Sequence, residues 1–532
     1  MTKCLLISPR FPDLSYWNFR EPCELLGARY PSVPLGLITV AALLPQEWEI
    51  RLLDLNVREM DLALLDWADL VMAGGMIPQQ RNLLALIELC HARGKRIAVG
   101  GQDPTSQPDI YASADYLVLD EGELTIPKFL ADLNAGVTRG IYRSTEKPDL
   151  TQSPTPRFDL LELRQYLFVG MQFSRGCPLN CEFCDVIELY GRKVRTKTPD
   201  QALRELECLY RLGYRGHVDF VDDNFIGNRQ AVMAFLVELL SWSRQRGFPF
   251  LFSTEATISL ANDPTLLDMM EAVDFRYIFV GIETPDADLL IRSQKKINTR
   301  HPIVESVHRL NSHGMIVTAG FILGFDGETR AAADNIVACV ESAGIPMAMV
   351  GLLAALPNTQ LTRRLIREGR MQGDAFLVQP GDVDQATSGL NFTPWRPRAE
   401  ILEDYAALVR QLYSPRRYFG RVLAVVRQLT RHPKQVGSMR GRWTDIRARG
   451  VLIWRLGCRP GTSWCFWRTV LVTLMTRPKN FETALHHMAL FLHLRKHTRF
   501  VLKGHAVRLK AEPEESCRPP LTLPWSRDAS QS

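Results

Sequence analysis

Short apolar runs alternate with helical patterns twice along this chain, and this rhythm limits its fold more than any other feature. In residues 1–135, helical patterns near Leu35–Leu44 and Asn82–Arg93 separate strand-like runs. Strands separated by helices predict βα units on a parallel sheet, so we expect a doubly wound sheet here. The predicted strands are Lys3–Ser8, Glu49–Asp54, Asp69–Ala73, Arg96–Gly100 and Asp115–Leu119.

Residues 136–165 are rich in Thr, Pro and Arg and are predicted to be a linker. The alternation resumes over 166–375, where six consecutive βα units predict an open, barrel-like (β/α)6 sheet. Residues 376–532 form a mainly helical, basic extension that begins with a loop-like piece, Gln379–Trp395, and ends in a polar tail. The predicted barrel strands are Val169–Ser174, His217–Val221, Phe250–Thr254, Tyr277–Gly281, Ile316–Leu323 and Ala348–Leu353.

Three cysteines follow the first barrel strand: Cys177, Cys181 and Cys184, in a Cys-x3-Cys-x2-Cys array. Three thiolates this close can hold three irons of a [4Fe–4S] cubane and leave the fourth iron open to a substrate or cofactor. Structural zinc sites use four ligands, usually in two separated pairs, and no second pair follows here. A truncated zinc knuckle and three unrelated core thiols are the alternatives.

Polar residues follow the other barrel strands at their carboxyl ends, where α/β barrels carry their functional groups. One acidic residue at such a place is more often a helix cap than a ligand. A succession of them around a cysteine loop favours a site. The residues are Asp222, Asp223, Asn224, Glu255, Glu283 and the stretch Gly324–Glu328.

Positive charge is concentrated in the last quarter of the chain. Residues 401–532 hold 24 Lys and Arg against 8 Asp and Glu, whereas the other 400 residues hold 40 against 50. A basic surface bearing Trp, as in Gly450–Arg477, can lie on anionic lipid. A helical cap on the barrel with a solvated basic face is the alternative. Nucleic acid is not expected as a partner, because no recognised binding motif accompanies the charge.

The composition, 46% hydrophobic and 23% charged, is that of an ordinary globular protein. Eleven cysteines without a regular spacing argue against a secreted disulfide protein. The segment Met1–Ser8 reads as a strand and not as a signal peptide, and no apolar run reaches the roughly 20 residues that span a bilayer. We expect a cytoplasmic protein, with peripheral membrane contact through the basic extension.

From Met1 to about Pro394 the chain resembles the cobalamin-binding radical S-adenosylmethionine (SAM) enzymes. The rest resembles an extension found in the branch that includes the hopanoid C-2 methylases. The matching stretches are Tyr30–Pro45, Ser174–Tyr190, Phe220–Asn228, Gly281–Pro285 and Gly320–Gly324.

This resemblance implies that Cys177, Cys181 and Cys184 bind a [4Fe–4S] cluster whose fourth iron is chelated by SAM. Asp222, Asp223 and Asn224 stand where the family usually has Gly-Gly-Glu, which receives the SAM amino group. The expected SAM-binding residues are Phe183, Asp222, Asp223, Asn224, Glu255, Glu283, Ile322 and Gly324.

The first domain resembles cobalamin-binding domains but lacks their Asp-x-His-x-x-Gly loop, since Ser8–Leu14 contains no His. His91, the one His in residues 1–135, falls in a predicted helix. We therefore expect that no His of the protein binds the cobalt. We expect the pairs Gly74-Gly75 and Gly100-Gly101 to line the nucleotide tail of the cobalamin. The predicted cobalamin contacts are Pro9, Arg10, Gly74, Gly75, Met76, Gly100, Gly101 and Glu121.

The function implied is a cobalamin-dependent radical SAM C-methyltransferase acting on an unactivated carbon of a small-molecule or lipid-like substrate. An electron donor such as a flavodoxin or ferredoxin would be a partner. A different radical reaction with the same cofactors, such as cyclisation or oxidation, is one alternative. A non-catalytic cobalamin or redox sensor is the other.

Overall fold

A computed structural model describes residues 1–373, 376–378, 384, 386–430 and 441–511. The predicted polar tail lies outside these residues, and Gln379–Trp395 lies partly outside them. Within them are two six-stranded parallel sheets and a helical C-terminal region. The expected α/β architecture with its helical extension is confirmed.

The first sheet has the strand order β2-β1-β3-β4-β5-β6, with all strands parallel. Leu5 and Ile7 belong to one apolar layer, and Cys4 and Leu6 belong to the layer on the opposite face. This alternation follows from the period of two along a strand, and it makes the sheet doubly wound. The strands are β1 Lys3–Ser8, β2 Glu49–Asp54, β3 Leu70–Gly74, β4 Arg96–Gly100, β5 Tyr116–Val118 and β6 Gly140–Tyr142. The helices are α1 Arg20–Leu26, α2 Leu35–Leu43, α3 Leu62–Trp67, α4 Gln80–Ala92, α5 Gln102–Ser106 and α6 Gly122–Asn134.

The strand β6 corrects the predicted linker. It lies within 136–165 yet pairs with β5 in parallel, with Leu117 opposite Ile141. Only three residues long, it carries too little periodicity to stand out from the Pro- and Thr-rich sequence that follows it.

The second sheet is the expected open (β/α)6 barrel, with the strand order β7-β10-β11-β12-β13-β14. A short antiparallel ribbon, β8 with β9, flanks the cysteine loop. The strands are β7 Phe168–Met171, β8 Ser174–Arg175, β9 Arg195–Thr196, β10 Gly216–Phe220, β11 Phe250–Glu255, β12 Phe275–Glu283, β13 Ile316–Leu323 and β14 Met347–Leu352. The helices are α7 Val186–Leu189, α8 Pro199–Arg211, α9 Arg229–Gln245, α10 Pro264–Ala272, α11 Ala287–Arg292, α12 Ile303–Ser312, α13 Ala332–Ala343 and α14 Gln360–Arg367.

Both open edges of the barrel are covered, which satisfies backbone groups that an exposed edge would leave unpaired. On the β14 edge, the Tyr405 hydroxyl donates to the carbonyl of Val350 at 2.8 Å. On the β7 edge, the amide of Leu167 donates to the carbonyl of Tyr30 at 3.1 Å. A segment of the first domain and a C-terminal helix therefore complete the barrel wall.

The C-terminal helices share one continuous hydrophobic core with the barrel. A π-helical turn, Ile453–Gly457, interrupts them. Among the described residues, no helix is long and apolar enough to cross a membrane. The helices are α15 Arg398–Leu412, α16 Pro415–Gln428, α17 Gly441–Leu452, α18 Ser463–Thr476 and α19 Phe481–Ala511.

Candidate active site between the two sheets

The three cysteines lie on the loop between β8 and α7, and a glycine fixes how this loop begins. Gly176 has a φ of +94°, a region that L side chains rarely adopt. A Cβ atom there would lie 2.8 Å from the carbonyl oxygen of Lys193 and 2.9 Å from that of Gly191. The loop is therefore packed tightly against the chain that returns from α7, and its first cysteine, Cys177, donates its amide to Gly191.

Burial raises the pKa of the Cys177 and Cys181 thiols, although the nearby ammonium of Lys295 acts in the opposite direction. Burial likewise raises the pKa of Cys184. A buried thiolate needs a compensating positive charge, which a bound metal supplies. Three closely spaced thiols in such a setting fit an iron–sulfur cluster, with the three irons bound by protein and the fourth open.

Lys295 is a residue of this site that the sequence analysis missed. Its Nζ lies 2.8 Å from Oε1 of Glu283, and both side chains are largely buried. Burial would lower the pKa of Lys295, but the carboxylate of Glu283 and the thiols of Cys181 and Cys184 raise it well above its ordinary value. A fixed positive charge thus stands beside the cysteine loop.

Glu283 occupies an unusual backbone position at the end of β12. Its φ is +67°, and the pairing with β13 shifts register between Gly281 and Glu283. The side-chain amide of Asn298 holds this bulge, because its Nδ2 donates to the carbonyl oxygens of Gly281 at 2.8 Å and Ile282 at 3.0 Å. The bulge turns the Glu283 carboxylate towards Lys295.

The adjacent residues Asp222 and Asp223 have different surroundings. Asp222 is fully buried, and its carboxylate accepts from the Phe173 amide at 3.0 Å and from the Ser174 amide and hydroxyl. Burial raises its pKa to about 7 in spite of these bonds. These bonds hold the chain after β7, and that Asp222 contacts SAM stays a prediction.

Asp223 and Asn224 lie closer to the cysteine loop. The Asp223 carboxylate accepts from the Gly176 amide at 3.3 Å and is only partly buried. Burial raises its pKa to about 6. Asn224 is buried, and its Oδ1 accepts from the Thr257 amide at 3.4 Å. Of the three residues predicted to receive the SAM amino group, Asp223 has the most accessible side chain.

Glu255 is the last residue of β11, at the carboxyl end of the barrel. Its side chain is exposed, although protein atoms surround it at the carboxyl end of the barrel. Burial raises the pKa of Glu255 to about 8, and the negative charges of Asp219, Asp223 and Asp222 add to the effect. Lys295 acts in the opposite direction.

The loop after β13 borders the same end of the barrel. Ile322 is partly buried near the end of this strand. The amide of Gly324 donates to Glu328 at 2.7 Å, which folds the loop back on itself. The next residue, Phe325, packs edge-on against Phe183 of the cysteine loop, with ring centroids 5.9 Å apart. The structure thus brings Phe183, Ile322 and Gly324 to one end of the barrel.

The first sheet turns its carboxyl edge towards the barrel. Gln102 donates to the hydroxyl of Tyr190 at 3.1 Å, and Asn358 donates to the carbonyl of Ser106 at 3.1 Å. Cofactors bound at the carboxyl edges of both sheets would therefore meet.

Glu121, which is predicted to contact cobalamin, forms ion pairs between the two domains. Its buried carboxylate pairs with Arg175 at 2.8 Å and Arg195 at 2.9 Å, one on each strand of the β8–β9 ribbon. Glu123 joins them by pairing with Arg175 at 2.9 Å. Because both oxygens of Glu121 are bound by arginines, this side chain ties the two domains together.

The predicted glycine pairs pack against each other. A Cβ on Gly101, whose φ is +102°, would lie 2.8 Å from the Gly75 backbone, and the Gly75 amide donates to the carbonyl of Gly100 at 3.2 Å. A Cβ on Gly74 would lie 3.3 Å from that same carbonyl oxygen. The glycines thus allow the loops after β3 and β4 to pack closely against each other.

The other predicted cobalamin contacts lie at this edge of the sheet. Met76, two residues after the end of β3, is 46% exposed. The carbonyl of Pro9 accepts from Asn56 at 3.1 Å. Arg10 pairs with Glu59 at 2.7 Å, so its charge is already balanced.

Comparison with known proteins agrees with this architecture. Residues 171–340 match the model of the radical SAM superfamily, and residues 359–506 match a domain of unknown function, DUF4070. An uncharacterised methyltransferase of Synechocystis is 44% identical over 493 residues, which cover 92% of this chain and 90% of the relative. The hopanoid C-2 methylase of Rhodopseudomonas palustris is 34% identical over 519 residues, covering 95% of each chain.

Solved structures share the fold at low sequence identity. The cobalamin-dependent SAM radical enzyme OxsB, with aqua-cobalamin and SAM bound, superposes with a TM-score of 0.60 at 16% identity, covering 97% of this chain and 82% of OxsB. The radical SAM methyltransferase TsrM from Kitasatospora setae, with cobalamin and a [4Fe–4S] cluster, gives 0.55 at 17% identity, covering 69% and 78%. The chain belongs to the radical SAM superfamily, in the family of methyltransferases that includes the hopanoid C-2 methylase.

Proposed function

We propose that this protein transfers a methyl group to an unactivated carbon of a lipid-like molecule, using a [4Fe–4S] cluster, SAM and cobalamin. One arrangement carries the proposal: the cysteine loop and the carboxyl edge of the first sheet border the same end of an open barrel. The exposed side chain of Glu255 lies at this end too.

The chain's own residues orient the reactants. Cys177, Cys181 and Cys184 hold the cluster. Asp223 accepts from the SAM ammonium, Glu255 accepts from ribose hydroxyls, and the ammonium of Lys295 pairs with the SAM carboxylate, which suits its place beside the thiols.

When bound, the cluster supplies the electron that cleaves SAM, and cobalamin carries the methyl group. A segment of the first domain and α15 cover the two edges of the barrel beside this site.

The proposal extends to the substrate class, the electron donor and the location. The relative named a hopanoid C-2 methylase supports a polycyclic or polyprenoid lipid as the substrate class. A flavodoxin- or ferredoxin-type protein serves as the electron donor. We place the protein in the cytoplasm, with peripheral contact to the membrane through its basic C-terminal helices.

The test is an anaerobic reaction of the reconstituted protein with SAM that carries a deuterated methyl group, a reductant and a bacterial lipid extract. Mass spectrometry should find a lipid carrying the labelled methyl only when cobalamin is present. SAM cleavage that gives an unmethylated, cyclised or oxidised product would favour a different radical reaction. Cobalamin retention without SAM cleavage would favour a sensor.

A further inference from the structure

A strongly basic pocket lies between the π-helical turn Ile453–Gly457 and α19. Its cavity measures about 270 Å³, several times the roughly 30 Å³ that a water molecule takes up in the liquid. The first domain contributes one residue from α1 to its wall. The lining residues are Glu21, Arg455, Arg459, Leu492, Arg495, Lys496 and Arg499.

The acidic residue in this lining is already occupied. Glu21 accepts from Nδ1 of His493 at 3.0 Å and pairs with Lys496 at 3.1 Å. Burial would raise the pKa of Glu21, but the hydrogen bonds from His493 and Lys496 lower it to about 2. Glu21 thus neutralises the lysine and leaves the arginines of the pocket unbalanced.

None of the four arginines forms an ion pair within the described ranges of the chain. Arg495 and Arg499 are one turn apart on α19 and so share a face of that helix. Burial lowers the pKa of Arg495, and the charges of Arg499 and Arg459 lower it further. Mutual repulsion of this kind is relieved when an anion binds between the guanidinium groups.

A phosphate group suits this arrangement. Guanidinium groups offer forked pairs of N–H donors that match two phosphate oxygens at once. Two arginines from α19 and two from the π-helical region approach the cavity from different elements. A phosphate group in the cavity would be bound from several sides.

Exposed apolar side chains lie on the π-helical turn, which lines this pocket, and on α18, the next helix. Trp454 precedes Arg455 directly and is 68% exposed. On α18, Trp464, Leu471 and Met475 are 77%, 59% and 76% exposed, and their spacing places them on one side of the helix. Contiguous exposed apolar side chains mark an interaction surface, and Trp with neighbouring Arg is typical of a membrane interface.

We propose that the basic pocket binds the phosphate group of an anionic phospholipid while the tryptophan face of α18 lies in the membrane interface. The biological role of this binding rests on the lipid-like substrate proposed above. The binding step itself needs neither cofactor nor turnover. The pocket then anchors the protein where a lipid substrate is found.

Flotation with vesicles tests this directly. The full-length protein should float with vesicles of phosphatidylcholine and phosphatidylglycerol at low salt, and should not float with phosphatidylcholine alone. The double variant Arg459→Gln, Arg499→Gln should lose about 30-fold in partitioning, because each basic residue near an anionic surface contributes about fivefold. Arg244→Gln on α9, an exposed arginine of the barrel, is the matched control.

A second variant tests the apolar face. Trp464→Ala with Met475→Ala changes only exposed side chains, so it should fold normally and yet float less. Equal flotation with both vesicle types, or arginine variants that float like the native protein, would overturn the proposal. If inorganic phosphate bound the native protein but vesicles did not, a free anion would be the ligand and the membrane role would be wrong. None of these results bears on whether the protein transfers methyl groups, so the two proposals fail separately.

Discussion

Nζ of Lys295 lies 2.8 Å from Oε1 of Glu283, beside the loop that carries Cys177, Cys181 and Cys184. The pair sets one positive and one negative charge at the place proposed for the cluster and SAM. Neither charge is solvated by bulk water, so each depends on the other. Their arrangement connects the bulge of β12 with the chemistry of the cysteine loop.

Replacing Lys295 with Gln should therefore destabilise the protein and weaken SAM binding. Removing one partner of a buried ion pair costs about 3–5 kcal/mol in the free energy of unfolding, because the other charge remains uncompensated. The neighbouring Lys296 is exposed, so Lys296→Gln should change this free energy by no more than about 0.5 kcal/mol. Denaturant unfolding and SAM titration of both variants measure the difference. Equal behaviour of the two variants would show that the pair does not matter.

Glu255 should make the cofactor-free protein less stable as the pH rises. Its pKa is about 8 in the folded protein against 4.5 for an ordinary Glu. Between these values the folded state keeps a proton that the unfolded chain releases, so the free energy of unfolding falls with increasing pH. Asp222, Asp223 and Glu328, with pKa values raised to about 7, 6 and 7, act in the same direction.

The variant Glu255→Gln should weaken this pH dependence without removing it. The measurement is the thermal midpoint of the cofactor-free protein from about pH 5 to about pH 8, the interval in which the raised pKa acts. A variant whose midpoint falls as steeply as that of the native protein would contradict the role assigned to Glu255.

Gly176→Ala should impair cluster loading more than Gly191→Ala. Both glycines have positive φ, +94° and +81°, so both substitutions carry a similar backbone cost of about 1–2 kcal/mol. Only at Gly176 would the new methyl group meet backbone oxygens, whereas Gly191 faces open space. Iron and sulfide content after reconstitution measures the effect. A similar loss in both variants would assign it to backbone strain alone.

Glu121→Gln should loosen the contact between the two domains. It leaves Arg175 and Arg195 with only part of their negative partners, and a buried pair broken in this way typically costs about 3–5 kcal/mol. The exposed Glu146 provides the control variant Glu146→Gln. Proteolysis of 136–165 should be faster in the first variant and unchanged in the second. Native resistance to protease with lost cobalamin affinity would instead make Glu121 a direct cofactor ligand.

Periodicity predicted the elements well and side-chain directions poorly. The boundaries of β1, β2, β4 and β13 agree with the predicted runs. The strands β1 and β13 are buried on both faces and stand out as continuous apolar sequence. The acidic residues predicted at the carboxyl ends of the barrel strands do lie together at one end of the barrel. Asp222 and Asp223 show the limit, since neighbours at a strand end point to opposite sides and the sequence does not say which one is buried.

Partners distant in sequence were beyond such reasoning. Glu121 meets arginines 54 and 74 residues away, and only the packing of two domains brings them together. Lys295 follows α11 on a loop without periodicity, so no pattern singled it out. One weak sequence signal could have indicated Lys295. It is one of two adjacent lysines in the stretch between Glu283, which ends β12, and Gly324, which follows β13.

The central claim is that three cysteines hold a cluster that cleaves SAM. Its most direct test is the amount of 5′-deoxyadenosine formed by the reconstituted protein under reducing, anaerobic conditions. The native protein and the variant Cys208→Ala, which changes a cysteine on α8, should form it, and Cys177→Ala, Cys181→Ala and Cys184→Ala should not. Formation of 5′-deoxyadenosine by any of these last three at the native rate would contradict the account.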